Sequence, residues 1–238
     1  MKEPGSAGGA APQCGDYAGD YADKSKDSRT GVRLSQQQQH RGWYSRGYLP
    51  HFDSPHVLQH ITYRLADSLP HAVLEQMQAE VTASAPDDEN RKAELRQRIE
   101  RYLDAGYGSC VLQAPEVAAC IVDTWLHFDG DRYRLLEWVV MPNHCHVLIE
   151  PLEGAPLGKI VLSWKNYTAR FINTYKDRTG VRGTQVWQRE YWDRFIRNDQ
   201  HFQTARNYIV MNPVKAGLVT RPEDWPWSSA HYSEESQS

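Results

Sequence analysis

Four stretches of the chain have the period-of-two alternation of hydrophobic and polar residues that is typical of half-buried β-strands. They are Val57 to Leu65, Tyr133 to Met141, His144 to Pro151 and a shorter run from Tyr191 to Arg197. The pair Pro142-Asn143 separates the second and third runs, and its residue types are those of a tight turn. The pattern therefore predicts a central β-hairpin with two further strands, one before it and one after it.

Apolar residues at helical spacing connect these runs. The first predicted helix opens at Ser68-Leu69-Pro70 and is interrupted at Ala85-Pro86-Asp87-Asp88. Three more run from Glu89 to Ala105, from Ala114 to about Phe128 and from Pro156 to about Tyr175. The last runs from His201 to Asn212, with Asp199 as its cap and Pro213 as its stop. The helix from Glu89 to Ala105 is strongly charged, and its polar residues predict a face exposed to solvent.

The order of these elements predicts an α+β fold. A strand, a helical crossover, a hairpin, a helix and a last strand form a ferredoxin-like split β-α-β arrangement, in which we expect an antiparallel sheet with helices on one face. Residues 57–229 show no repeat and no break in composition, so they are predicted to be one domain. Residues 1–40 are rich in Gly, Ala, Ser and Gln and predict disorder, residues 41–56 predict an extended lead-in, and residues 230–238 a tail.

The charge is distributed unevenly. The net charge is −3, yet residues 159–221 hold 12 Lys and Arg against 4 Asp and Glu, with aromatic residues between them. Positive charge with aromatic faces suits single-stranded or distorted nucleic acid. A solvated helix face over an aromatic core explains the same composition equally well, and both interpretations stay open.

Several classes of protein are disfavoured. No apolar run approaches the length of a membrane span, and the polar, Gly-rich N-terminus does not resemble a signal peptide. The four cysteines have neither a C-x-x-C pair nor the spacing of a disulfide framework. This usage favours a reducing cytoplasm over secretion.

The third strand carries the first candidate for chemistry. Side chains alternate along a strand, so His144 and His146 share one face while Cys145 takes the other. Two imidazoles side by side are suited to bind a divalent metal ion. Two solvent-facing histidines on a half-buried strand would show the same pattern.

The last helix carries the second candidate. Tyr208 and Asn212 are four residues apart and fall on one helix face. The phenol is a possible covalent nucleophile, and an amide oxygen is a hard ligand for Mg²⁺ or Mn²⁺. A core tyrosine and a residue at a helix C-terminus are the simpler interpretations of each alone.

Together these motifs resemble a known family. The run M-P-N-H-C-H at 141–146, the run Y-I-V-M-N-P-V-K-A-G at 208–217, P-W-S-S at 226–229 and V-W-Q-R-E-Y-W at 186–192 are similar to the single-tyrosine HUH transposases, and within them to the REP-associated tyrosine transposases. The sequence departs from that pattern at Cys145, where a bulkier hydrophobic residue is usual, and in a long charged insert at about 80–110.

The resemblance implies an HUH endonuclease fold and a mechanism. His144, His146 and Asn212 would hold Mg²⁺ or Mn²⁺, and Tyr208 would cleave single-stranded DNA beside a hairpin to leave a 5′-phosphotyrosine and a free 3′-hydroxyl. Attack by a 3′-hydroxyl would then join strands. Lys215 or Arg206 would help to activate the phenol. The predicted DNA-binding residues are Lys165, Arg170, Arg189, Arg194, Arg197 and Lys215, with Trp187 and Trp192 as candidates for base stacking or for the core.

Two other functions remain possible at this point. The first is a hairpin-binding protein on the same fold without turnover. The second is a structural zinc site that uses Cys145 together with the two histidines, which the strand alternation disfavours. The resemblance implies a cytoplasmic, nucleoid-associated protein, a monomer or a homodimer, and Tyr208 would serve either its own histidine pair or that of a partner.

Overall fold

A computed structural model describes residues 40–45, 50–84, 87–179 and 185–235. Within these ranges the main sheet has four strands, namely β3 (Gln59–Arg64), β4 (Tyr133–Val140), β5 (His144–Pro151) and β6 (Trp192–Phe195). Their order in the sheet is β4-β5-β3-β6. Every neighbouring pair is antiparallel. All four strands lie within the predicted runs, and the predicted ferredoxin-like order is confirmed.

The helices are α1 (His71–Ser84), α2 (Asp88–Asp104), α3 (Pro115–Leu126), α4 (Leu157–Thr179), α5 (Asp199–Lys215) and α6 (Ser229–Glu235). Helices α3 and α4 pack on one face of the sheet, where Ile61, Val147 and Trp164 belong to the main hydrophobic core. A smaller cluster on the opposite face joins Val139 and Leu148 of the sheet to Ile209 of α5. The predicted helical layer is thus present, and α5 lies against the other face.

Helix α5 differs from its predicted bounds at both ends. The side chain of Asn198, one residue before the predicted cap Asp199, accepts a hydrogen bond from the backbone N–H of His201. At the other end the helix continues past Pro213 to Lys215, and Gly217, two residues further on, has a φ of +70°. The N–H of Leu218 donates to the carbonyl of Pro213, as in a Schellman cap. The predicted stop at Asn212 was wrong because a proline removes one hydrogen bond without preventing another turn.

The predicted lead-in forms a hairpin of its own. Strands β1 (Gly42–Ser45) and β2 (Pro50–Asp53) pair with each other, and β2 packs against β6. The imidazole of His51 bonds the Asp193 carboxylate, whose second oxygen accepts the backbone N–H of Phe52. The lead-in therefore packs directly on the last strand. The predicted disorder of residues 1–40 falls outside the described residues except at residue 40. Of the predicted tail at 230–238, residues 230–235 belong to α6, and residues 236–238 lie outside the described residues.

The charged insert at about 80–110 forms the end of α1 and the whole of α2. Its C-terminal end is fixed to the hairpin turn, because the Asn143 side-chain amide donates to the carbonyls of Leu103 and Tyr107. Beyond α2 the chain turns through Gly108, which has a φ of +95° and lies so close to Asp67 that an added Cβ would be 2.9 Å from the Asp67 carbonyl oxygen. No helix in the described ranges is long and apolar enough to cross a membrane.

Candidate active site

The two histidines lie side by side on the central strand β5. Their ring centroids are 4.8 Å apart, and the side chains are 1% and 2% exposed. On the neighbouring strands, Thr62 lies opposite His146 and Arg64 opposite His144. Cys145 points to the opposite face and is buried in the main core. The alternation predicted from the sequence is thereby confirmed, and a zinc site that includes the Cys145 sulfur does not fit this geometry.

Hydrogen bonds orient both imidazoles. The Nδ1 of His144 is 2.7 Å from Oδ1 of Asn143, an atom that can only accept, so Nδ1 carries the proton. The Nδ1 of His146 is 2.8 Å from the Thr62 hydroxyl. In both residues Nε2 is the nitrogen left to bind a ligand. Partners of this kind fix the ring orientation and the tautomer of metal-binding histidines.

Burial keeps these histidines neutral. It lowers the pKa of His144 to about 3, and the positive charge of Arg64 adds to the effect. Burial lowers the pKa of His146 well below its usual value, with smaller contributions from His144 and His60. Neutral imidazole is the form that binds metal, so the pair is prepared to bind an ion at neutral pH.

Tyr208 on α5 reaches the histidine pair of its own chain. Its ring lies edge-on to the ring of His146 at a centroid distance of 5.1 Å. The contact follows from the packing of α5, because Ile209 next to Tyr208 is buried against Met141 and Leu148. The Tyr208 hydroxyl is buried and has no hydrogen-bond partner among the described residues. Burial raises the pKa of this phenol, and the nearby carboxylates of Glu100 and Asp104 raise it further.

Asn212 lies one turn after Tyr208 and is 1% exposed. Its Oδ1, like His146 Nε2, is buried without a hydrogen-bond partner in the described part of the chain. A buried polar atom without a partner is costly, and a metal ion would satisfy both. No set of three His, Cys, Asp or Glu side chains in the described ranges is already arranged to hold an ion. The histidine pair therefore fits a metal ion together with an amide oxygen or with a carboxylate that moves closer.

Helix α2 contributes charged residues to the same side of the sheet. The Arg96 guanidinium lies 4.5 Å from the ring centroid of Trp192 on β6, and two turns later Asp104 Oδ1 is 3.9 Å from Nε2 of His144. Burial raises the pKa of Asp104 to about 6, and it also raises the pKa of Glu100, which lies between these two residues along the helix. The position of these α2 residues beside the histidines was not predicted from the sequence, because the polar face of the helix was assigned to solvent. The spacing of four between Arg96, Glu100 and Asp104 was the available signal.

The predicted DNA-binding residues fall into different environments. Lys165 is buried, and its ammonium group donates to the carbonyls of Gln188, Arg189 and Glu190. It is committed to holding the segment before β6 and is not available to a phosphate. Arg170 is exposed on α4, which packs against the sheet face opposite the histidines.

The remaining candidates are exposed. Arg194 on β6 lies directly opposite His60 on β3, so both point to the histidine face. Arg189 lies before β6 and Arg197 lies after it, and both side chains are exposed. The Lys215 ammonium is 5.0 Å from the Tyr208 ring centroid, whereas Arg206 bonds Glu137 on β4. Of the two predicted activators of the phenol, only Lys215 is near it.

Trp187 and Trp192, the two candidates for base stacking, lie in different environments. Trp187 is buried in the main core, where its indole N–H donates to the Thr168 hydroxyl. Trp192 is half-buried on the histidine side, and its ring lies 6.1 Å from that of His60. Trp192 is therefore the one of the two on the histidine side, where the Arg96 guanidinium already lies 4.5 Å from its ring centroid.

The sequence of this chain is similar to those of known transposases. Residues 127–212 match the family model described as "Transposase IS200 like". A curated relative from Escherichia coli strain K12, named REP-associated tyrosine transposase, is 31% identical over 100 residues, which are 42% of this chain and 55% of the relative. The match thus spans about half of the relative's length. The predicted resemblance is confirmed.

A solved structure described as a REP-associated tyrosine transposase bound to a REP hairpin is also similar. Its TM-score is 0.45 at 19% identity, and the match covers 78% of this chain and 84% of the solved one.

Proposed function

We propose, from its similarity to the IS200-like and REP-associated tyrosine transposases, that this chain cleaves and rejoins single-stranded DNA. The single observation that carries the proposal is the position of Tyr208, which lies against His146 of its own chain with a buried hydroxyl and no partner among the described residues. A nucleophile beside a pair of neutral imidazoles is the arrangement that metal-assisted phosphoryl transfer needs.

His144, His146 and Asn212 would hold Mg²⁺ or Mn²⁺. Once bound, the ion supplies Lewis acidity to a non-bridging oxygen of the scissile phosphodiester and offsets the charge that develops there. The amide oxygen of Asn212 suits such hard cations. Asn143 and Thr62 would hold the two rings in place during the reaction.

In the proposed reaction the Tyr208 hydroxyl gives its proton to water and its oxygen attacks phosphorus. The bond from phosphorus to the DNA 3′-oxygen breaks, and that oxygen takes up a proton from water. The products are a 5′-phosphotyrosine and a 3′-hydroxyl. Because the ester bond is conserved in the protein–DNA link, attack by a 3′-hydroxyl reverses the step and joins strands without a nucleotide cofactor. Burial opposes ionisation of the phenol, and the nearby Lys215 ammonium group would help to favour the phenolate.

The proposed substrate is single-stranded DNA with a hairpin beside the cleavage point. Arg194 and Trp192 present a positive charge and an aromatic ring on the histidine side of β6. Charge and stacking together bind single strands with little dependence on sequence. An enzyme with this substrate would act in the cytoplasm, at the nucleoid.

Trapping of a covalent adduct tests the proposal. End-labelled hairpin DNA with a single-stranded flank is incubated with the full chain and Mn²⁺, and the products are denatured and separated by size. We expect a labelled protein band that Tyr208→Phe abolishes and that His144→Ala reduces by at least about 100-fold, as when a group that acts in the transition state is removed. Absence of the adduct with the unchanged chain, under conditions in which it binds the hairpin, would exclude the strand-cleaving function.

The raised pKa of Tyr208 favours a second candidate function, namely a protein that binds hairpins without turnover. It predicts the same hairpin affinity for the unchanged chain and for Tyr208→Phe, with no adduct from either. The trapping experiment, accompanied by a gel-shift titration, therefore separates the two functions.

A further inference from the structure

We propose that Asp104, on the inserted helix α2, is an anionic ligand of the ion that His144 and His146 bind. The inference rests on the proposed function because it requires an ion at the histidine pair. It goes further in that it assigns a ligand to a helix outside the segment 127–212 that matches the transposase family.

Asp104 lies close enough to His144 to share an ion with it. Asp104 Oδ1 is 3.9 Å from Nε2 of His144, the nitrogen left to bind a ligand. Two ligands of one octahedral ion with bonds of about 2.1 Å lie about 3.0 Å apart when adjacent and about 4.2 Å apart when opposite. The observed separation lies between these values, so a small rotation of the carboxylate brings both atoms onto one ion.

Three atoms of the kind that bind metal ions are buried here without hydrogen-bond partners among the described residues. Asp104 Oδ1, His146 Nε2 and Asn212 Oδ1 have no hydrogen-bond partner within the described residues. The side chains of His146 and Asn212 are more than nine-tenths buried. Atoms of this kind normally find partners, and a shared cation would satisfy all three.

The proposed ion also needs a negatively charged ligand. Two imidazoles and one amide are neutral ligands, so a dication held by them alone would enter a buried site without an anion. Asp104 supplies the missing negative charge next to His144. A carboxylate also favours hard ions such as Mg²⁺ and Mn²⁺ over softer ones.

Asn143 couples Asp104 to the histidines. Its Oδ1 accepts from the ring of His144, while its amide nitrogen donates to the carbonyls of Leu103 and Tyr107, which flank Asp104. One side chain thus orients the imidazole and holds the end of α2 against it. The carboxylate is therefore positioned by the same contacts that position the first histidine.

Metal binding without DNA tests the inference. Mn²⁺ affinity is measured by isothermal titration calorimetry and by the loss of the free-ion electron paramagnetic resonance signal, for the full chain and for Asp104→Asn, Glu100→Gln and His144→Ala. Glu100→Gln is the matched control, because it removes the same charge one helical turn away. We expect Asp104→Asn to weaken Mn²⁺ binding by at least about 10-fold and Glu100→Gln by less than about 3-fold.

The outcomes separate this inference from the proposed function. If the unchanged chain and Asp104→Asn bind Mn²⁺ equally while His144→Ala does not, Asp104 is not a ligand and the strand-cleaving function stands. Equal weakening by Asp104→Asn and Glu100→Gln would mean a general effect of charge, which also overturns the inference. If the unchanged chain binds no Mn²⁺, both ideas fail. Far-ultraviolet circular dichroism and melting without metal show whether each variant is folded.

Discussion

The ring of Tyr208 lies 5.1 Å from the ring of His146 in the same chain, with the two planes nearly perpendicular. About sixty residues separate them in the sequence, and they meet because α5 packs on the face of the sheet from which the histidines point. Tyr208 and the histidine pair therefore lie together within a single chain, and we predict that the proposed site is built from one chain. The sequence had left open whether Tyr208 serves its own histidines or those of a partner.

This contact predicts that mixed variants do not complement each other. A mixture of Tyr208→Phe and His144→Ala has one intact half-site in each chain, and we expect no more covalent adduct than either variant forms alone. Adduct yield on labelled hairpin DNA measures this. If each tyrosine served the histidines of a partner, random pairing of the two variants would restore about a quarter of the normal yield, and such a recovery would show that tyrosines are exchanged between chains.

The hydroxyl of Thr62 is predicted to be required for metal affinity. Thr62→Val keeps the shape of the side chain but removes the 2.8 Å contact with Nδ1 of His146. Since such partners fix the ring, we expect Mn²⁺ affinity to fall by about 10-fold with little change in melting temperature. Thr174→Val, on α4, is the matched control, because it removes a hydroxyl that donates to the Arg170 carbonyl far along the chain from the histidines, and it should leave the affinity unchanged.

Strand alternation was sufficient to predict the histidine face, and the spacing of four was sufficient to place Tyr208 beside Asn212. Both patterns depend on local geometry, which the backbone period fixes. The role of α2 could not be predicted in this way, because Asp104 is a polar residue on a charged helix, and tertiary contacts such as those of Asn143 and Arg96 bring that helix over the site. Lys165 was misassigned for a similar reason. Its charge suggested a phosphate contact, and only the tertiary structure shows three carbonyl groups around it.

Two of the predicted DNA contacts provide a matched pair for a binding test. Arg194 is exposed on the histidine side of the sheet, and Arg170 is exposed on a helix that covers the opposite side. We expect Arg194→Ala to weaken hairpin binding and to reduce the slope of log affinity against log salt by about 1, as the loss of one phosphate contact does. Arg170→Ala should change neither. Gel-shift titrations at several salt concentrations check this, and equal losses from the two variants would place DNA on both sides of the sheet.

Lys165 is predicted to affect stability and not DNA binding. Lys165→Met retains most of the packing but leaves carbonyl groups of the segment before β6 without their donor. We expect the free energy of unfolding to fall by about 1–3 kcal/mol, the usual cost of unsatisfied buried groups. Lys159→Met, exposed on the same helix, is the control and should change it by less than about 0.5 kcal/mol. Urea denaturation measures both. Weaker hairpin binding by folded Lys165→Met would restore the original assignment to DNA.

The third histidine on this face, His60, is predicted to make the protein sensitive to acid. Burial lowers its pKa to about 3, with the charge of Arg194 as the next contribution, whereas the unfolded chain has the usual value of 6.5. The unfolded state therefore binds the extra proton first, and stability is lost as the pH falls below 6.5. At pH 5 this histidine alone costs about 2 kcal/mol. Urea denaturation between pH 7 and pH 5, in the presence of a chelator, should show a loss that is smaller by this amount in His60→Gln. His71→Gln, at an exposed position on α1, should behave like the unchanged chain, and an equal acid response in all three proteins would mean that His60 is protonated without cost in the folded state.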